Sequence, residues 1–291
     1  MAVEISFSGD PISAKLESVT LAGTDLCYRQ FGGGQRPLLL LHTFWTQMDY
    51  AQRIAPLLVD RYRIYTIDLP GHGQSSKNPA IQHDAKFFVS AAAKFIEHQE
   101  LTDLTLMGES IGGTISLLLA AETPQRISRV VACNPYDYPG PMIGGLVGRL
   151  VSYLGRYTTL GTRLAIAPLL RLFFAAGCYD SSKLPPDYMT LLADLRRADP
   201  KFAACIKSVL RNYRSWTVAA DAAYPKIPDT VSIDVIYGQR DWGPAAAPEV
   251  NRQRLGERAR ITTLPKVGHF SFLEDPEGVV EILLREPGSS A

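Results

Sequence analysis

In the stretch LTLMGESIGG (residues 104–113), Gly108 lies two residues before Ser110 and Gly112 two residues after it. An apolar run leads into this stretch, and a run rich in alanine and leucine follows it. A buried strand that turns at a serine straight into a helix is a nucleophile elbow. The turn is so tight that side chains two residues before and after the serine would collide, and glycine at both places removes the clash. The strain lifts the Ser110 hydroxyl to the head of a helix, where the first amides favour developing negative charge.

A serine hydroxyl is a weak nucleophile at neutral pH. It needs a base, and the base needs an acid to orient it. DVIYGQRDWG places Asp241 just after an apolar strand, and ITTLPKVGHF places His269 in the loop after the next one. Both fall at strand carboxyl ends, where ligands meet an open α/β sheet. Asp137 in CNPYDYPG, after the preceding strand, is a rival acid. Asp241 is preferred because Asp137 lies between Pro135 and Pro139, where the chain is already leaving the sheet.

The elements that must position these residues alternate between strand and helix. ESVTLAG and TDLCYRQFG form an N-terminal hairpin across a Gly-Thr turn. RPLLLLHT, YRIYTIDLPGHG, LTDLTLMG, ISRVVACNP, VSIDVIYG and RARITTLP read as six further strands. Several are continuous apolar runs, as expected of strands buried on both faces. DAKFFVSAAAKFIEH, GGTISLLLAAETP and PEGVVEILLRE read as helices between or after them. The expected fold class is α/β: a mainly parallel eight-stranded sheet with an N-terminal hairpin.

From 139 to 225 the pattern is helical throughout, with SSKLPP as an internal break. This segment reads as a helical cap inserted into a core made of 1–138 and 226–291. Arg149, Arg156 and Arg163 recur every seven residues among apolar neighbours. They suit a cap helix with its arginines in water. Membrane contact through a surface helix is the less favoured reading, weakened by Gly148, Gly155 and Gly161.

Composition excludes several classes. The 291 residues carry a net charge of +1, so no strong field recruits nucleic acid or an anionic surface. The first residues, MAVEISFSGD, lack a basic start followed by an apolar stretch. Cys27, Cys133, Cys178 and Cys205 are scattered without CxxC spacing and read as free thiols of a cytoplasmic protein. No metal-ligand cluster or phosphate-cradling loop is recognised, so neither cofactor nor metal is expected.

Taken together, GESIGG, DLPGHGQS, YGQRDWG and VGHF resemble the α/β-hydrolase superfamily in its capped esterase, epoxide-hydrolase and C–C hydrolase branch. The resemblance covers nearly the whole chain. It implies Ser110, Asp241 and His269 as a catalytic triad in that chain order. A serine in the nucleophile position argues against dehalogenase and epoxide-hydrolase chemistry, which use aspartate. The N–H of Ile111 is the first expected oxyanion donor. By match, the N–H of Phe44 is the second, although Thr43 in LLLLHTFWTQ replaces a glycine of relatives. A β-branched Thr43 resists positive φ, so the loop is expected to differ from theirs.

Thr43, Trp45, Tyr136 and Trp242 are candidates to line the substrate site, with packing as the competing role for Trp242. His42 reads as a brace for the oxyanion loop, His72 as part of the PGHGQS loop, and His83 and His98 as residues on or beside a surface helix. Glu109 stands beside the nucleophile without an assigned role. The expected activity is hydrolysis of a small or medium apolar carboxylic ester through an acyl-enzyme. The alternatives are a C–C bond, thioester or lactone hydrolase or an acyltransferase using the same residues, and a receptor that keeps the triad with little turnover.

Overall fold

The computed structural model describes residues 14–21, 23–140 and 167–285. In chain order the regular elements are β1 (Glu17–Leu21), β2 (Thr24–Phe31), β3 (Arg36–Leu41), β4 (Tyr62–Ile67), α1 (Ala85–His98), β5 (Leu104–Glu109), α2 (Ile111–Glu122) and β6 (Ile127–Cys133). They continue as α3 (Ala167–Gly177), α4 (Pro186–Ala198), α5 (Pro200–Arg211), α6 (Arg214–Ala223), β7 (Ser232–Gly238), α7 (Ala247–Leu255), β8 (Ala259–Leu264), α8 (Ser271–Glu274) and α9 (Pro276–Leu284). Short 3₁₀ turns fill several connections.

The strands form one sheet in the order β1-β2-β4-β3-β5-β6-β7-β8. The pairs β1–β2 and β2–β4 are antiparallel and the other five are parallel. The hairpin and the eight strands are as the sequence leads one to expect. All six residues of β5 are buried, as are Pro37–Leu41 of β3, because helices cover both faces. Alternate residues serve opposite layers. Leu39, Leu41, Leu106 and Val130 pack with α1, α2 and α6, whereas Leu38, Leu40, Met107 and Val131 pack with α3, α4 and α9.

Local signals set the helix starts. The side chain of Asp84 accepts from Phe87 N–H and caps α1 (2.9 Å), and Asp275 does the same for α9 through Gly278 N–H (3.2 Å). α2 starts at Ser110 with no side-chain cap, which leaves its first amides open to a ligand.

Between β6 and β7 the described residues hold helices and no strand. SSKLPP does mark a break, as a 3₁₀ turn before α4. FAACIKSVLRNYRSW divides into α5 and α6 at Asn212 and Tyr213. α6 packs against the core: Trp216 is fully buried with its ring 5.6 Å from Phe88 of α1. This helix of the 139–225 segment thus shares a layer with α1 and α2. Arg149, Arg156 and Arg163, with the membrane-surface reading that rests on them, lie outside the described residues. Among the described residues no helix is long and apolar enough to cross a membrane.

Candidate active site

Ser110 occupies the turn between β5 and α2 at φ 56° and ψ −117°, a conformation that costs a non-glycine residue about 1–3 kcal/mol. Backbone bonds on both sides hold it there. Ser110 N–H donates to Cys133 C=O (2.9 Å), and Ser110 C=O accepts from Tyr136 N–H and Thr114 N–H (both 3.1 Å). A Cβ on Gly108 would fall inside contact distance of the Gly112 carbonyl, and one on Gly112 would strike the carbonyls of Leu41 and His42. The two glycines thus let β5, α2 and the end of β3 press together.

His269 follows β8. Its Nδ1 stands 2.5 Å from Asp241 Oδ1. A carboxylate only accepts, so Nδ1 carries a proton, and in the neutral imidazole it is Nε2 that holds the lone pair. That Nε2 is buried without a hydrogen-bond partner, and so is Ser110 Oγ; both residues are 0% exposed. Hydrogen bonds between such groups are often long in a free enzyme and tighten around substrate. The loops carrying Asp241 and His269 are laced together, since Gln239 N–H and Arg240 N–H donate to Leu264 C=O and Val267 C=O (both 2.9 Å). Gly238 permits this, for a Cβ there would hit the Gly268 carbonyl.

Asp137 is engaged elsewhere. Its Oδ2 accepts from Asn251 Nδ2 (2.8 Å) and Tyr224 OH (3.1 Å), and Arg254 lies 3.6 Å from Oδ1. Burial pushes its carboxyl up to about 6 against the pull of those partners. It ties the end of β6 to α7 rather than reaching the histidine.

Three buried polar residues without a role in the sequence reading hold the histidine loop. Glu109 Oε1 accepts from Ser271 N–H (2.7 Å), Ser271 OH and Phe272 N–H (3.4 Å), while its Oε2 meets the Tyr50 hydroxyl. It therefore joins the residue before Ser110 to a residue two after His269. Burial pushes its carboxyl up to about 8 although these hydrogen bonds pull it down. Glu274 accepts from Gly268 N–H (2.8 Å) and from Tyr179 N–H and Asp180 N–H (2.7 and 3.0 Å), linking the loop to the chain after α3. Asn134 donates to His269 C=O (3.0 Å) and accepts from Gly238 N–H (2.8 Å). The available signal was general: a polar side chain at the end of an apolar strand must find partners once buried.

On the other side of Ser110, Leu69 N–H donates to His42 Nε2 (2.9 Å), so Nδ1–H of His42 faces Thr43 C=O (2.8 Å). Burial lowers this imidazole to about 4 and keeps it neutral. The positive φ expected to trouble Thr43 falls instead on Trp45 (68°), two residues later. No acceptor takes the N–H of Phe44 or Ile111 among the described residues. His83 is buried against Gly71 rather than lying on the surface, whereas His98 is exposed.

The four candidate lining residues gather around this point. Trp242 lies over the His269 ring (centroids 4.5 Å apart), and Tyr136 donates its N–H to Ser110. Thr43 is buried at the end of β3, and Trp45 stacks on Phe44 (5.6 Å). Phe173 of α3, absent from the sequence reading, bridges Trp45 (4.6 Å) and Trp242 (5.4 Å). α3 also meets the histidine directly: His269 N–H donates to Gly177 C=O (2.6 Å).

The comparisons with known proteins agree with this architecture. A model of the alpha/beta hydrolase family matches residues 38–282. The pimeloyl-[acyl-carrier protein] methyl ester esterase of Nitrosomonas europaea is 25% identical over 258 residues, 85% of this chain and 94% of that protein. The dihydrolipoyllysine-residue acetyltransferase component of the acetoin cleaving system of Cupriavidus necator is 27% identical over 177 residues, 61% of this chain. The match spans only 45% of that longer protein. The crystal structure of E-2-(acetamidomethylene)succinate hydrolase shares the fold, with a TM-score of 0.73 at 21% identity over 93% of this chain and 97% of that one. The family match runs from β3 to α9, across every strand end that carries a residue of the site, and the chain belongs to the alpha/beta hydrolase family.

Proposed function

We propose that the protein hydrolyses a small or medium apolar carboxylic ester through an acyl-enzyme on Ser110. The observation that carries this reading is the histidine: Nδ1 bound to Asp241 at 2.5 Å, and Nε2 buried and unpartnered as is the strained Ser110 hydroxyl. Nε2 of His269 takes the Ser110 proton as Oγ attacks the acyl carbonyl, and Asp241 stabilises the imidazolium. The N–H groups of Ile111 and Phe44 receive the oxyanion. The imidazolium gives its proton to the leaving alcohol. Water then repeats the cycle on the acyl-enzyme and restores Ser110.

Two findings favour an apolar ester over the other bonds this machinery cleaves. Phe44, Trp45, Phe173 and Trp242 form a continuous aromatic chain beside the site. The Nitrosomonas relative is a methyl ester esterase. α3, α4 and α5 make up the described part of the cap, with α3 seated over the histidine.

A fluorophosphonate probe tests the reading. It labels the protein once, and Ser110→Ala abolishes the label. Labelling that survives the substitution refutes the assignment. A nitrophenyl ester series of increasing acyl length then separates enzyme from receptor: a stable adduct without turnover on every member overturns hydrolysis.

A further inference from the structure

At the amino-terminal edge of the sheet, opposite the serine, lies a basin of about 510 Å³. Its floor comes from the first residues of four strands adjacent in the sheet, β4-β3-β5-β6. Arg36 is in register with Tyr62, and Thr105 with Arg129, so these side chains begin side by side; Arg61 and Arg285 complete the wall. The turn before β4 is tied to the loop before β3 by Gly33 N–H donating to Val59 C=O (2.8 Å).

The charges there are unequal. Four arginines line the basin against one carboxylate, Asp103, on a chain whose net charge is only +1. Two of the four are engaged. Arg129 binds Asp234 (2.8 Å) and the carbonyls of Ile282 and Arg285 (3.0 and 2.9 Å), and Arg285 meets Glu281 (3.1 Å). Arg129 is nonetheless buried with an Nε–H that takes no acceptor. Arg36 and Arg61 are exposed and form no ion pair among the described residues. The fields of Arg129, Arg36 and Arg61 all reach the Tyr62 phenol and oppose the rise that burial imposes on it.

We propose that the basin formed by Arg36, Arg61 and Arg129 around Tyr62 and Thr105 is a second binding site, for a small molecule carrying two linked phosphoryl groups. Two guanidinium forks on one basin, neither in an ion pair among the described residues, match two phosphoryl groups, each fork taking a pair of oxygens. The buried Arg129 adds a fixed positive background, and the Tyr62 and Thr105 hydroxyls, which bond each other, leave one further donor. The volume lies within the range of small-molecule sites. The site is separate from the serine. β5 alone sets Thr105 and Ser110 roughly 16 Å apart at the usual rise per strand residue.

The test is calorimetric titration and thermal unfolding with inorganic pyrophosphate, using orthophosphate and sodium chloride at matched ionic strength as controls. Pyrophosphate at about a hundred times its Kd raises Tm by roughly 4 °C beyond chloride, and orthophosphate binds more weakly. Arg36→Gln and Arg61→Gln each weaken pyrophosphate at least tenfold while leaving the ligand-free Tm unchanged, because both side chains are exposed. Protein blocked at the active site with a fluorophosphonate binds pyrophosphate as well as free protein does. A response equal to that of chloride overturns the proposal. So does undiminished binding by the double variant, or loss of binding in the blocked protein.

Discussion

In the proposed reaction the Asp241 carboxylate, which faces His269 Nδ1, fixes the imidazole tautomer and stabilises the imidazolium formed as the serine attacks. Replacing such an acid by its amide costs about four orders of magnitude in a serine protease. Asp241→Asn is therefore expected to lower kcat/KM at least about a thousandfold with the fold intact. Asp137→Asn acts differently. It weakens the bonds to Tyr224, Asn251 and Arg254, so Tm falls while kcat/KM changes less than about tenfold. Assaying both variants on one ester, with circular dichroism, decides the matter; a crippled Asp137→Asn overturns the pairing. Glu109 gives a pH prediction. Its folded carboxyl titrates at about 8, above its ordinary value, because burial disfavours the charge. The unfolded chain ionises first, so the stability this group contributes is full below about 4.5 and is lost as pH rises to about 8. One such group changes stability by at most about 1.4 kcal/mol per pH unit. Urea unfolding of Glu109→Gln at pH 5, 6.5 and 8 is expected to show a flatter decline than the parent. An unchanged slope would place the titrating group elsewhere.

Elements bring these residues together through loops that approach more closely than side chains allow. Gly238 ends β7 against the Gly268 carbonyl, one residue before the histidine. Gly238→Ala is expected to push the Asp241 and His269 loops apart, and a misplacement of about 1 Å costs on the order of a hundredfold in rate. If kcat/KM for that variant stays near the parent value, the contact does not set the geometry. At this scale much was legible in the sequence. Strand–turn–helix periodicity located all eight strands, and the glycine spacing at Ser110 carried its own steric reason. Other elements left weak marks. α7 buries Ala247, Asn251 and Leu255, one of them polar, so no apolar stripe announces it. In α6 the spacing of Trp216 and Ala220 is the same whichever layer the helix packs against, so periodicity alone does not tell which layer it joins. Glu109, Glu274 and Asn134 were illegible as supports, since each has a hydrogen-bond partner far along the chain.

At the scale of the whole molecule, α3, in the segment read as a cap, and the sheet are joined through the histidine loop. His269 gives its own N–H to the carbonyl that ends α3, and Glu274 fastens Tyr179 and Asp180, just beyond that helix, to Gly268. Any displacement of α3 from the strand ends must therefore break the bond from His269 N–H to Gly177 C=O, which couples the helix mechanically to the residue proposed as the base.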